Sequence, residues 1–442
     1  MDTERQQETK SPVVAEKPKQ GEDTRVRWAW VEPAVWTDAM LAALENGVKG
    51  GKWYSLKDKV WKEGNLKAAW RRVESNKGAS GVDGKTVQWF RNNAERELEH
   101  IQERLQSETY EPQLVRRTYI PKPGSQEKRP LGIPAVSDRI VQTALRHVIE
   151  PIFEQGFAEH SYGFRPGRGC RDALRVVDAA LKDGKLWVVD ADLKSYFDTI
   201  PHAQLMALME RQIADSRVLE LVRKYLKQGV MEGLKEWMPE KGTPQGAVIS
   251  PLLANIYLNP LDHLMASKGW QMVRYADDFI VLCRTREEAQ AALVEIQAWV
   301  AETQLKLNPE KTRIVHETEG FDFLGYTFRK GMRFPRKKSF DKIKDKVRII
   351  TRRANGKSME DIITKLNASL RGWYGYFKHS YRTVFPDMDG WTRHRLRAIL
   401  LKHNGTGRWK LTYADHRKWP NAYFSELGLF SLFEAHLAEC RP

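Results

Sequence analysis

Apolar residues recur at three- and four-residue intervals from Trp28 to Leu44, from Trp61 to Ser75 and from Thr86 to Gln106, a period that predicts amphipathic helices. Thr118 to Pro134, TYIPKPGSQEKRPLGIP, breaks that rhythm with four prolines and two glycines around short β-branched pieces, and predicts an antiparallel hairpin with an irregular tip. Asp138 to Glu150 then reads as a helix capped at Asp138 and closed by Pro151. At Leu186 the period turns extended: LWVVDAD sets Asp190 and Asp192 two residues apart, hence on one face of a strand. Met272 to Cys283, MVRYADDFIVLC, is two apolar runs flanking Ala-Asp-Asp, a hairpin with acidic residues at its tip. His202 to Gly229, Pro251 to Met265 and Glu287 to Thr303 read as helices, with further strands between Thr312 and Phe328. This order predicts an α+β chain whose antiparallel sheet carries helices on one face.

Composition adds a partner. The 442 residues are 41% apolar, enough for two or three domains, and carry a net charge of +16. That charge is concentrated: Arg329 to Ala422 holds 25 Lys or Arg against 7 Asp or Glu, so the rest of the chain is slightly acidic. A one-signed stretch of this length points to a polyanion, and nucleic acid is the first choice. Among its cations lie Trp373, Tyr374, Tyr376, Phe377, Tyr381, Trp391, Trp409, Tyr413 and Trp419, which either stack on unpaired bases or fill a core. Trp373 and Phe377, four residues apart, are expected to pack inward.

Cys170, Cys283 and Cys440 are too widely spaced for a local disulfide framework or a CxxC zinc knuckle, which implies a reducing, intracellular setting. The apolar run Ala247 to Leu258 is interrupted and too short to span a bilayer. Residues 1–27 mix six acidic with six basic side chains and have few large apolar ones, the composition of a disordered leader rather than a signal peptide.

Two segments invite chemistry. NKGASGVDGKT, Asn76 to Thr86, fails as a phosphate loop because the glycine required five residues before Gly84 is Ala79; a Gly-rich turn remains. The acidic residues are stronger. Asp-Asp at a hairpin tip alone is ordinary turn chemistry. Brought beside a strand-borne Asp192, however, Asp277 would complete a hard-oxygen site of the kind that holds two divalent ions about 3.5 to 4 Å apart for phosphoryl transfer.

The company of these residues carries a resemblance. TYIPKPGSQEKRPLGIPAVSDRIVQTAL, SYGFRPGRG (Ser161 to Gly169), DADLKSYFD (Asp190 to Asp198), GTPQGAVISPLLANIYL (Gly242 to Leu258), YADD (Tyr275 to Asp278), LNPEKT (Leu307 to Thr312) and FLGY (Phe323 to Tyr326) resemble, in order, the blocks of a bacterial group II intron reverse transcriptase and maturase. The likeness runs from about Gly78 to the C-terminus.

That resemblance implies a right-hand polymerase fold. It would comprise an N-terminal extension over 28–111, fingers over 112–185 and a palm over 186–330 with a fingers segment inserted around 200–250. A helical thumb and maturase domain would follow over 331–403, then a basic, aromatic region over 404–442. By motif, the ligands of two Mg²⁺ ions are Asp192, preferred over Asp190 and Asp198, with Asp277 and an auxiliary Asp278. Phe197 becomes the ring that excludes a ribose 2′-hydroxyl. Lys122 and Arg129 match triphosphate-binding positions, the alternative being a solvated hairpin tip. Gln245 and Gly246 match the incoming-nucleotide site, where Gly246 would allow close approach. Lys311 is either a phosphate contact or a surface lysine. Phe323, Leu324, Gly325 and Tyr326 match the primer grip, Gly325 again for close approach.

The basic stretch corresponds to the region that binds intron RNA and aids its splicing, with Arg336, Lys337, Lys338, Arg352, Arg353, Arg371 and Lys378 as RNA contacts. Implied partners are the intron RNA, an RNA template, a DNA primer or target and deoxynucleoside triphosphates, in the bacterial cytoplasm at the nucleoid. Many relatives continue into an HNH-type nuclease; with Cys440 alone near Pro442, none is expected here, so priming would come from elsewhere, such as nascent DNA at a replication fork. Alternatives are an RNA-binding splicing maturase and a host-recruited reverse transcriptase without intron mobility. The sequence leaves the oligomeric state open.

Overall fold

The computed structural model describes residues 24–121, 128–233, 235–243, 246–353, 356–405 and 410–440. The expected leader falls almost wholly outside them, as do Lys122 and Gln245.

Eleven strands are described. The first pair, β1 (Val115–Pro121) and β2 (Lys128–Ile133), forms the expected hairpin; β3 is Trp187–Asp192, β4 Val230–Glu232 and β5 Lys235–Trp237. The acidic hairpin is β6 (Gln271–Tyr275) and β7 (Asp278–Cys283), followed by β8 (Arg313–His316), β9 (Phe321–Phe323), β10 (Tyr326–Arg329) and β11 (Met332–Pro335). They form three sheets, in the orders β2-β1-β4-β5, β6-β7-β3-β8 and β11-β10-β9.

The second sheet is wholly antiparallel and is covered on both faces. Val189, Ala191, Phe279 and Val281 pack into one core with the helices Ser250–Ser267 and Arg286–Glu302. Val188, Ile280, Leu282 and Val315, of opposite parity, pack into another with the helix Cys170–Lys182 and the β9–β10 hairpin. The expectation of helices on one face is therefore corrected. The central residues of β3 and β7 are apolar at nearly every position, as a strand buried on both sides requires, and the alternation breaks only where Asp190, Asp192 and Asp278 interrupt the second face. The helix Cys170–Lys182, within the span expected for the fingers, lies on β6 and β7.

Local boundaries differ where tertiary partners override the pattern. Trp28 to Leu44 is not one helix: Asp38–Asn46 begins behind a Thr37 cap, while Trp28, Val31, Val35 and Trp36 are buried from a turn-rich segment containing Pro33. The helix expected at Asp138–Glu150 runs from Val136 to Glu154, straight through Pro151. Proline cannot bond the carbonyl four residues back, that of His147. The Trp36 indole supplies the missing donor at 2.8 Å, and the helix continues. Asp138 is no cap; it is fully buried and accepts from the Tyr110 hydroxyl at 2.6 Å and the Gln113 N–H at 3.1 Å. His202 to Gly229 splits into His202–Glu210 and Ser216–Leu226 because Asp215 caps the second helix.

The Gly-rich turn lies against the base of the first hairpin. Arg116 and Arg139 bind the carbonyls of Ser80 and Ala79, and a side chain on Gly81 would meet the Ala135 backbone at 2.5 Å. Behind β11, the helices Lys337–Ile350, Met359–Phe377 and Val384–His403 enclose a separate core with Trp419, Phe424 and Leu432. Among the described residues no helix is long and apolar enough to cross a membrane.

Candidate active site

Asp192 and Asp278 are direct cross-strand partners at the end of the β3–β7 ladder, and Asp277 occupies the turn beside them. Like charges directly opposite one another destabilise a sheet. Asp190 shares their face by parity. The electrostatic consequence is marked: burial, followed by the charges of Asp190, Asp277 and Asp192, pushes the Asp278 carboxyl up to about 7, with the Arg336 guanidinium opposing. Asp190 is also raised, chiefly by burial, against the pull of Arg313 3.4 Å away.

The tip is held from behind. Ala276 sits in the left-handed region at φ 61°, a conformation costing a residue with a side chain about 1–2 kcal/mol. Its carbonyl accepts from the guanidinium of Arg274 at 2.8 Å, and Arg274 is itself fully buried and paired with Asp262. Gly163 lies so near that a Cβ there would fall 2.2 Å from the Ala276 nitrogen. The glycine in SYGFRPGRG therefore makes room for the YADD turn.

Asp192 faces the LNPEKT segment. Its carbonyl accepts from the Asn308 N–H at 2.7 Å, and its carboxylate receives the Lys311 ammonium at 2.9 Å and the Asn308 amide at 3.3 Å. Among the described residues, no three His, Cys, Asp or Glu side chains already surround a point that would hold a metal ion. The donor chemistry nevertheless fits Mg²⁺: the converging groups are carboxylate oxygens, the hard ligands this ion takes, and the neighbouring charges of Asp190, Asp277 and Asp192 add to burial in raising Asp278.

Other expected residues are distributed unevenly. Phe197 is half-buried in the short helix Tyr196–Thr199, its carbonyl bound by the Thr243 N–H at 2.6 Å, which ties DADLKSYFD to the segment before Gln245. The backbone of Arg129 lies in β2 opposite Ile120, while its side chain is outside the described atoms. Gly246, at φ 105°, approaches the fingers hairpin: a Cβ there would meet the Gly132 carbonyl at 2.3 Å. Leu324 and Gly325 form the two-residue turn between β9 and β10, both at positive φ (47° and 82°). The need at Gly325 is thus conformational, since a Cβ would make only ordinary contacts there. Phe323 and Tyr326 are buried, and the Tyr326 hydroxyl donates to the Tyr376 carbonyl at 2.6 Å, joining this hairpin to the helix Met359–Phe377.

Of the expected RNA contacts, Lys337, Lys338 and Arg352 face solvent and Arg353 is half-buried. Arg336 lies instead 4.0 Å from Asp322 beside the carboxylate cluster. Arg371 stacks over Phe430, and Lys378 pairs with Glu439 at 3.0 Å. Trp373 packs against Phe377 as expected, and Tyr374 and Trp419 are also core, whereas Tyr381 and Tyr413 are exposed. Pattern reading missed the Arg274 cluster. Its signal was an arginine after the apolar pair Met272 and Val273 of a strand, followed by the conformationally costly turn.

A family model described as reverse transcriptase (RNA-dependent DNA polymerase) matches residues 120–328, and one described as the group II intron, maturase-specific domain matches 340–419. Among curated proteins, protein YkfC of Escherichia coli (strain K12) is 38% identical, the match covering 59% of this chain and 79% of that protein. Group II intron-encoded protein LtrA of Lactococcus lactis subsp. cremoris is 32% identical over 59% of this chain and 54% of LtrA, so the chain spans about half of LtrA's length. Among solved structures, a chain of the partial Cas6-RT-Cas1–Cas2 complex is 25% identical with a TM-score of 0.36, covering 56% of this chain and 41% of that one.

Proposed function

This chain belongs to the group II intron-encoded reverse transcriptases, RNA-directed DNA polymerases joined to a maturase domain, and we propose that Asp192, Asp277 and Asp278 are the carboxylates on which its nucleotidyl transfer depends. The observation that carries this reading is the pairing of Asp192 opposite Asp278 at the ladder's end, with Asp277 in the adjoining turn. Two Mg²⁺ ions, when bound, lower the pKa of the attacking primer hydroxyl and neutralise charge on the departing pyrophosphate.

The protein's own part is positional. Asp192 and Asp277 present ligands from two neighbouring segments, and Asp278 adds an oxygen whose proton competes with a cation near neutral pH. Lys311 keeps a positive charge beside Asp192, available to a triphosphate. In this reading Lys122, Arg129, Gln245 and Gly246 are assigned by motif to the incoming nucleotide, and Phe197 supplies the ring against which a 2′-hydroxyl clashes. The β9–β10 turn, anchored on Tyr376, supports the primer end. Intron RNA, RNA template and DNA primer are the polyanions served by the basic stretch after Arg329. Retromobility is the process in which copying and splicing combine.

Primer extension on an RNA template with Mg²⁺ and deoxynucleotides tests the reading. Extension by the wild-type chain, abolished by Asp277→Asn, is expected. No product above that control would leave only a splicing-factor role. For the ring, Phe197→Ala is expected to raise ribonucleotide incorporation, and unchanged selectivity removes it from that role.

A further inference from the structure

Three of the sequence blocks meet at one guanidinium. Arg274 has no solvent exposure, and each of its five N–H donors has a partner. Nε and Nη2 grip the two oxygens of Asp262 at 2.8 and 2.6 Å, and Nη2 also donates to the Ser161 hydroxyl at 2.7 Å. Nη1 donates to the Asn255 side-chain oxygen at 2.9 Å and to the Ala276 carbonyl at 2.8 Å. Asn255 in turn donates to the Gly163 carbonyl at 2.8 Å, closing a ring around the tip. Ser161 and Gly163 come from SYGFRPGRG; Asn255 and Asp262 come from the helix Ser250–Ser267.

Neutralising a buried cation requires only Asp262. The remaining donors do something else: one holds the backbone carbonyl of the residue between Tyr275 and Asp277, in the one turn residue whose φ is unfavourable for a side chain. We infer that Arg274 is the positioning residue of the catalytic turn, fixing the peptide before Asp277 through the Ala276 carbonyl and so the direction of the Asp277 carboxylate. This role for Arg274 rests on Asp277 being a metal ligand. Removal of such outer partners commonly costs about 10–100-fold in metal affinity, and a misplacement near 1 Å can cost about a hundredfold in rate.

The discriminating variant is Arg274→Lys, which retains a cation for Asp262 but has no planar fork to reach Asn255, Ser161 and Ala276 together. The full-length chain is assayed for Mn²⁺ binding by the electron paramagnetic resonance of free ion, and for primer extension. With circular dichroism unchanged, Mn²⁺ affinity is expected to fall about tenfold or more and kcat about a hundredfold, with KM for deoxynucleotide held within about twofold because the nucleotide contacts are intact. In Arg274→Ala, added guanidinium should restore part of kcat. Should Arg274→Lys fail to fold, Ser161→Ala, which removes one neutral acceptor, carries the same test with a smaller loss in the same two quantities. A folded variant with wild-type Mn²⁺ affinity and kcat overturns the inference, provided Asp277→Asn lowers Mn²⁺ binding. If Asp277→Asn leaves Mn²⁺ binding unchanged, the ligand reading itself falls and the inference with it.

Discussion

The Lys311 ammonium lies 2.9 Å from Oδ2 of Asp192, across 119 residues of chain. The LNPEKT segment thus delivers a cation to the carboxylate at the end of β3, and the same oxygen cannot serve the ammonium and a metal ion equally well. The pair is largely exposed, with side chains 62% and 37% accessible, so its worth is within about 1 kcal/mol, or up to about fivefold in an equilibrium. Lys311→Met is expected to tighten Mn²⁺ binding by about two- to fivefold while raising KM for deoxynucleotide, because the triphosphate loses the cation proposed for it. Titration calorimetry with Mn²⁺ and steady-state extension check the two signs separately.

How much of this was legible in the sequence depends on the distance over which each signal acts. The YADD hairpin, the β1–β2 hairpin and the inward pairing of Trp373 with Phe377 are local patterns and read correctly. The placement of Asp190 and Asp192 on one face followed from a two-residue spacing. The continuation of a helix through Pro151 did not, because the donor that repairs it, Trp36, is 111 residues away. Nor did the second covered face of the sheet: alternation with two apolar parities does not say what lies above and below. In the basic stretch the charge is legible in the sequence but the surroundings of each cation are not: Arg371 lies over Phe430 and Lys378 pairs with Glu439, both from the last segments of the chain.

Asp138 gives a pH dependence separable from catalysis. Burial raises its carboxyl to about 7, against the Tyr110 hydroxyl and Gln113 N–H, with Asp83 raising and Arg104 lowering it further out. The unfolded group titrates near 4. Between about pH 4 and 7 the folded chain therefore holds the extra proton, and stability from this group is present below the window and lost as pH rises through it. Glu150, Asp190 and Asp278 shift the same way, so the wild-type slope is shared. Asp138→Asn removes one contribution: its loss of stability between pH 5 and 7 in urea titrations should be smaller than the wild type's by roughly 2 kcal/mol. Parallel slopes would mean that Asp138 ionises normally.

Gly163→Ala tests the fit behind the YADD turn. The added methyl would fall 2.2 Å from the Ala276 nitrogen and 2.9 Å from the Tyr275 carbonyl carbon, both backbone atoms of the hairpin. Neither can swing aside as a side-chain end can. Overpacking of this kind costs about 1–3 kcal/mol, part of it expressed as a shifted tip. The variant should lose both thermal stability and kcat. Gly167→Ala, in the same block but with open space around its Cβ, should lose only the small amount associated with its φ of 68° and should keep kcat. Equal activity in the two would separate the glycine from the turn.

The helix Lys337–Ile350 offers the clearest nucleic-acid prediction. Ile343 and Val347 are its buried residues, which leaves Lys338, Lys342 and Lys346 in one solvent-facing row at four-residue spacing. Lys344, by contrast, lies over the rings of Phe340 and Trp391. A row of ammonium groups about 6 Å apart can follow a phosphate backbone, each contact releasing counterions. Changing Lys338, Lys342 and Lys346 together to glutamine should flatten the log–log dependence of RNA affinity on salt by about 0.7 to 0.9 per lost contact, or roughly 2 to 3 in total. Arg371→Gln with Lys378→Gln removes two charges as well, but from groups occupied within the protein, and should leave that slope nearly unchanged. Filter binding of a structured RNA at several salt concentrations distinguishes the two sets. Equal slopes for both would mean that the total charge of the stretch, rather than this helical row, governs binding.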